Sequence, residues 1–316
     1  MDEKTVFFLG FLLTASGVVS PPLALLGGIV FAFFFAHPFA KESSCLSRLL
    51  LQVAVVCLGF GMNIHEVMRA GRSGFLYTAV SIVSSLSVGL LIGRIAAVTG
   101  KASLLISAGT AICGGSAIAA VAPVVDANEE EISVSMGTVF ILNSLALFLF
   151  PAIGAALHLT QGQFGLWSAL AIHDTSSVVG ATAKYGAQAL SVGTTVKLAR
   201  ALWIIPVTLV AAAYSARLCP RAEGQPRAKI KLPWFILFFC MAAALNTWMP
   251  HFAPAYGVLS YLGKAGLCVT LFLIGTSLSR TALRKVGMRP LLQGVVLWIL
   301  VAGISLVLVQ RGTIAI

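Results

Sequence analysis

"GTAICGGSAIAAVAPVV", residues 109–125, interrupts an apolar run with Gly109, Thr110 and Cys113, then sets Gly114, Gly115 and Ser116 side by side. Its position is that of the middle of a membrane helix, between the apolar "LLISA" and the acidic "DANEEE". Glycine pairs loosen helices. An unpaired backbone group in hydrocarbon costs several kcal/mol. A helix weakened at this depth therefore needs a compensating partner or a function.

The surrounding composition fixes the class. Of 316 residues, 59% are hydrophobic and 10% charged, against about 45–50% and 25% in soluble domains. Several windows are long enough to cross a bilayer as helices, so the chain reads as an all-α polytopic membrane protein. The formal charge of +11 comes mostly from short segments between apolar runs. Topology accounts for it and nucleic acid is not expected. Cys45, Cys57, Cys113, Cys219, Cys240 and Cys268 are scattered singly without CxxC or metal spacing, so no metal or cofactor is expected. Residues 1–20 lack a basic n-region and a small-residue cleavage site, and read as a retained first span.

Eleven spans are expected, at about 5–20, 23–40, 47–63, 74–99, 102–125, 132–157, 164–187, 194–216, 233–249, 256–276 and 290–310. Together they form one transmembrane domain over 1–316, with approximate repeat halves 1–157 and 164–316. The linker 217–231 carries Arg217, Arg221, Arg227, Lys229 and Lys231 against Glu223 alone, which makes it cytoplasmic. Strict alternation then puts 126–131 outside, the N-terminus inside and the C-terminus outside. Asn63 to Ser73 falls outside despite Arg69 and Arg72.

That segment has a counterpart. Shifted by 216 positions, residues 58–80 lie over 274–296 without a gap, matching Gly59 to Gly275, Arg69 to Lys285, Gly71 to Gly287 and Leu76 to Leu292. The copies start seven spans apart by this count, so they face opposite sides, as in the inverted repeats of secondary transporters with discontinuous helices.

Three polar features could carry chemistry. A break around Gly109–Gly115 would aim a half-helix N-terminus at an anion, with Thr110 and Ser116 adding hydroxyls. Close packing through Gly109, Cys113 and Ala117 at i, i+4, i+8 is the alternative. In "LAIHDTSSVVGATAKYG" (170–186), His173 and Asp174 sit near mid-membrane, followed by Thr175, Ser176 and Ser177, with Gly180 marking a further break. Ionisable groups at that depth are expensive and usually functional, although a structural His–Asp tie between helices is the plainer reading. Lys197 and Arg200 stand three apart on one helical face. They read either as anion ligands, with Lys184 as neighbour, or as interfacial side chains reaching for water. Asn143 and Ser144 are weaker candidates. His37, His65, His158 and His251 lie near span ends.

"LLISAGTAICGGSAIAAVAPVV", "VFILNSLALFLFPAIG", "AIHDTSSVVGA", "KLARALWIIP" and "RPLLQGVVLW", in this order over nearly the whole chain, resemble the YeiH-type family of bacterial inner-membrane proteins, to which sulfate export is ascribed. The family often has His-Glu where His173-Asp174 stands here, and a Glu where Ala122 precedes Pro123. Its distant relation to sodium/proton antiporters and bile-acid symporters implies a core-and-scaffold architecture with broken helices. The function expected is secondary active export of a small anion such as sulfate or sulfite. Its ligands would come from Gly109, Thr110, Cys113, Gly114, Gly115, Ser116, Ser176, Lys197 and Arg200. Coupling would run through His173 and Asp174, to protons rather than sodium. Rival readings are a carrier of a sulfonate or carboxylate, an anion channel, or an intramembrane enzyme; the last lacks a nucleophile motif. Partners expected are the anion, membrane lipid and a second copy of the chain, in a bacterial inner membrane.

Overall fold

The computed structural model describes residues 3–35, 39–218, 234–277 and 287–314. Among them are α-helices and one 3-10 turn, and no strand. The helices are α1 (Glu3–Ala15), α2 (Pro21–Phe34), α3 (Ala40–Gly59), α4 (Ile64–Ile95), α5 (Gly100–Ala111), α6 (Gly115–Val121) and α7 (Glu129–Ala156). They continue as α8 (Gln161–Ala171), α9 (Thr175–Tyr185), α10 (Ala187–Ala201), α11 (Ile204–Leu218), α12 (Trp234–Trp248), α13 (Ala253–Ser277) and α14 (Met288–Gln310). Five stretches are long and apolar enough to cross a membrane: Tyr77–Ile95, Glu130–Ala156, Ala187–Ala213, Pro250–Ser277 and Met288–Gln310. With the shorter apolar helices Pro21–Phe34, Leu49–Gly59 and Trp234–Trp248, they make this a multi-pass membrane protein.

Local chemistry sets several boundaries. Capping boxes start α7 (Asn128 with Glu131) and α8 (Thr160 with Gln163), each satisfying two otherwise orphaned amides. The α10–α11 stretch is interrupted at Leu202 and Trp203, because Pro206 lacks an N–H and its ring crowds the carbonyl four residues back.

The helices sort into two layers. In one, α13 packs along α2 and α3, with α1 on α13 and α12 on α3; the other holds α4 to α11 and α14. They meet where α2 and α13 touch α9, α12 touches α4 and α2 touches α7. We call the first layer the scaffold and the second the core. In the scaffold α2 and α13 approach backbone to backbone: a Cβ on Gly28 would lie 2.9 Å from the Gly275 Cα, and one on Gly275 2.9 Å from the Gly28 Cα.

The broken helices do not cross the bundle as expected. Lys101 Nζ, at the start of α5, donates to the Asp126 carbonyl beyond the end of α6 (2.7 Å). Thr99 Oγ1 donates to Glu131 Oε1 (3.3 Å) and Ser135 Oγ to the Ala102 carbonyl (3.3 Å). Between these ends the chain turns back on itself, so that a Cβ on Gly109 would sit 3.1 Å from Ile118. The α5–α6 pair is a re-entrant hairpin, hairpin A. The α8–α9 pair is another, hairpin B: Tyr185 Oη donates to the Leu159 carbonyl (2.7 Å), and Gln188 N to Gln161 Oε1 (3.0 Å). The Phe164 and Tyr185 rings stack across its base.

Helix α14 shows that the hairpins enter from opposite ends. Near its start, Gln293 Nε2 donates to the carbonyls of Gly89 (3.0 Å) and Ser103 (3.1 Å), at the base of hairpin A. Past its finish, Gly312 and Ile314 line one cavity with Thr160, Gln163 and Gln188, at the base of hairpin B. Because each hairpin returns to its own end, two expected crossings are lost and the alternation changes. Ala211 and Ala212 of α11 pack with Val121, Val125, Ala127 and Ile132, so α11 finishes at the Asn128 end. Residues 126–131 and the start of the basic linker thus share one end, where the sequence predicted opposite sides. The linker beyond Leu218 lies outside the described residues.

Hairpin and crossing are separable by labelling. In a background freed of cysteine, Gly100→Cys and Ala127→Cys should react with an impermeant maleimide from one and the same side of the membrane. Labelling from opposite sides would restore the crossing.

Candidate functional site

Each hairpin turns over three residues. Helix α5 ends at Ala111 and the chain resumes helix at Gly115; α8 ends at Ala171 and resumes at Thr175. The two turns touch. Gly114 holds φ 66°, ψ −129°, a conformation that strains any residue with a Cβ, and a Cβ there would lie 3.2 Å from that of Asp174.

A break inside an apolar bundle frees carbonyls on one side and amides on the other. At hairpin B these demands are met by side chains. Lys197 Nζ donates to the carbonyls of Ile172 (2.7 Å) and Ala169 (3.4 Å). Trp298 Nε1 donates to Ala171 O (3.1 Å), and Arg200 Nη1 to Leu170 O (3.1 Å). On the amide side Asp174 caps α9: its Oδ1 accepts from Ser177 N (2.6 Å) and Ser176 Oγ (2.7 Å). Its Oδ2 accepts from Asn143 Nδ2 (2.6 Å) and Ser177 Oγ (3.2 Å). Asn143 Oδ1 takes the amides of His173 (3.1 Å) and Asp174 (3.3 Å). Four donors and no acceptor at Asp174 is the hydrogen-bond pattern of a carboxylate.

Hairpin A is held more lightly. Arg200 Nε donates to Ala111 O (2.6 Å), so one guanidinium joins both hairpins. Gly114 N bonds back to Gly109 O (2.8 Å), and α6 has no side-chain cap. Gly115 is partly exposed and Ser116 exposed, whereas residues 171–182 of hairpin B are all buried. Around the junction, Arg200 Nη2, Thr110 Oγ1 and both His173 ring nitrogens are buried without a hydrogen-bond partner among the described residues. The His173 ring lies 6.4 Å from that of Trp298.

Most of the sequence-predicted residues converge here, with changed roles. Gly109 and Thr110 belong to the last turn of α5, and the break falls at Ile112, Cys113 and Gly114. Cys113 is a buried free thiol. Ser176 is committed to Asp174. Lys197 and Arg200 are fully buried rather than interfacial, because α10 starts at Ala187, well before the expected 194. His173 and Asp174 are not bonded to each other: Asp174 faces its own helix's amides and the imidazole faces Trp298. The second break is at His173-Asp174, and Gly180 is interior to α9. Lys184 lies in the last turn of α9, beyond the buried run, away from the two buried cations and suited to the negative helix end. Asn143, a minor candidate by sequence, is central. Trp298 escaped notice; its signal is an indole about halfway along α14 rather than at an interface, where tryptophan is enriched.

Asn143→Asp would remove a donor and set a second carboxylate against Asp174, which should cost about 3 kcal/mol or more. Gly114→Ala should cost about 1–3 kcal/mol through backbone strain. Thermal unfolding in detergent reads both, with Ser144→Ala, whose hydroxyl donates to the Phe140 carbonyl within α7, unchanged as control. An Asn143→Asp protein as stable as wild type would remove Asn143 from the network.

The family model described as conserved hypothetical protein 698 matches residues 6–294. The UPF0324 membrane protein Bd1437 of Bdellovibrio bacteriovorus is 50% identical over 98% of this chain and 95% of its own length. A UPF0324 membrane protein of Bacteroides thetaiotaomicron is 48% identical over 91% and 85%, and GSU2818 of Geobacter sulfurreducens 46% over 96% of each. No solved structure matches the chain. Matched along nearly its full length by these relatives, the chain belongs to the UPF0324 membrane protein family, the family of conserved hypothetical protein 698.

Proposed function

We propose that the protein is a secondary active transporter that exports a small anion, an inorganic sulfur oxyanion such as sulfate or sulfite, and that it is a carrier rather than an enzyme. One observation carries the reading: two re-entrant hairpins from opposite ends meet tip to tip inside the bundle, with Lys197 and Arg200 buried beside them. Buried cations at membrane depth mark a pathway for charged cargo. Re-entrant backbone is tolerated there only where protein or a cavity satisfies it.

The arrangement supports an inverted repeat. Ala111-Ile112 and Ser116 stand in hairpin A where Ala171-Ile172 and Ser176 stand in hairpin B, an offset of 60. Thr138-Val139 and Asn143 in α7 correspond to Thr195-Val196 and Arg200 in α10, an offset of 57. With α3–α4 matched to α13–α14, the second half is the first run in the opposite direction and circularly permuted, its hairpin coming first. A site on the axis relating two such halves is reachable in turn from either side, which is what alternating access requires. The core layer moves against the scaffold, and the anion lies at the hairpin tips near Thr110, Arg200 and Ser116. His173, with both ring nitrogens unpartnered, carries the coupling proton by itself rather than as a pair with Asp174. By the positive-inside tendency, the Asn128 end, where α11 leads into the basic linker, faces the cytoplasm. A sulfonate or carboxylate carrier is the second reading, favoured by the exposed Ser116 just past the hairpin A turn.

Purified protein in liposomes, given labelled sulfate, sulfite and organic anions under an imposed pH gradient, tests this. Wild type should accumulate one of them, and Arg200→Met should not. His173→Gln should keep counterflow while losing pH-driven accumulation. Absence of flux for every anion would overturn the reading.

A further inference from the structure

Within the described residues, the hairpin tips gather four buried side chains with ionisable groups of ordinary acid–base type: Lys197, Arg200, Asp174 and His173. Cys113 completes the titratable set there. Lys197 and Arg200 only donate, to carbonyls at the negative C-terminal ends of α5 and α8, and Asp174 only accepts, so with His173 and Cys113 uncharged the hydrogen-bond pattern is that of two cations facing one carboxylate. Asp174 does not neutralise either cation by contact: its oxygens are occupied by Ser176, Ser177 and Asn143. Lys197 and Arg200 instead hold carbonyls. Each hairpin also brings one helix C-terminus and one N-terminus to the junction, and these partial charges of about half a unit cancel within the hairpin. What remains is a single net positive charge.

We propose that this site selects anions by charge, taking a monovalent oxyanion, an organosulfonate or hydrogensulfite, in preference to a dianion such as sulfate. The inference rests on the anion-carrier reading and narrows its cargo: of the oxyanions named there it keeps hydrogensulfite and the sulfonates and sets sulfate aside. A monoanion brings the buried charge to zero. A dianion leaves an uncompensated negative charge in a low-dielectric interior, where each unpaired ion is heavily penalised. The unpartnered buried atoms agree with an acceptor-rich head group: Arg200 Nη2 can only donate, and the Thr110 hydroxyl and one His173 N–H are further donors. Three donors suit the three oxygens of a sulfonate.

The test uses a near-isosteric pair that differs in charge. Purified wild-type protein is titrated calorimetrically at about pH 8.5 and constant ionic strength with methanesulfonate, a monoanion, with methylphosphonate, there a dianion, and with sulfate. Methanesulfonate should bind at least tenfold tighter than either dianion. In Asp174→Asn the site gains one further positive charge, and the methanesulfonate-to-sulfate preference should fall at least tenfold. Should that variant not fold, the wild-type isosteric comparison decides by itself. Dianions binding as tightly as methanesulfonate would overturn the charge rule while leaving an anion carrier intact. No binding by any of the three, together with no flux in liposomes, would overturn the carrier reading itself.

Discussion

Two helix breaks placed in the middle of an apolar bundle leave carbonyls and amides that neither lipid nor apolar side chains can satisfy, and the core is organised around meeting that demand. Lys197, Arg200 and Trp298 supply donors to the carbonyl sides, and Asp174 and Asn143 supply acceptors to the amide side of hairpin B. Three helices outside the hairpins are recruited for this purpose: α7, α10 and α14. A polar network of this kind is costly if any member is missing and rigid when complete, so the same residues that make the breaks tolerable also fix where the tips meet.

The two tips differ in how fully they are met. Hairpin B has side-chain partners on both sides of its turn. Hairpin A has the Arg200 guanidinium, backbone bonds of its own such as that of Gly114 N to Gly109 O, and a short α6 whose N-cap glycine offers no side chain. Low local stability concentrates where backbone groups have few buried partners, which places the softer element at hairpin A. Gly115 and Ser116, which reach the surface just past the turn, belong to that softer side.

The position of the first break was legible, because a glycine pair inside an apolar run weakens the helix where the flanking residues would all continue it. The second was legible as a polar island, although Gly180 drew attention from the true turn: His173-Asp174 makes the break because Asp174 supplies the cap. The direction of the chain after each break was hidden. A run of some twenty apolar residues has one composition whether it crosses the bundle or goes down and returns, and only contacts such as that of Lys101 with Asp126 separate the two. The role of Arg200 was hidden for a related reason. Its carbonyl partners lie 89 and 30 residues away, and a buried guanidinium reads as an anion ligand until those partners are known.

Away from the tips, the contact between Gly28 and Gly275 has no side chain in it. Most helix pairs rest on a cushion of rotamers that can re-sort when a residue changes. Here backbone meets backbone, and a single methyl group at either position has nowhere to go except by displacing α2 from α13 as a whole. The separation of these helices is thereby a fixed length in the molecule, like the spacer in a hinge frame. Because both helices also touch α9, an error in that length would be delivered undamped to the wall of hairpin B.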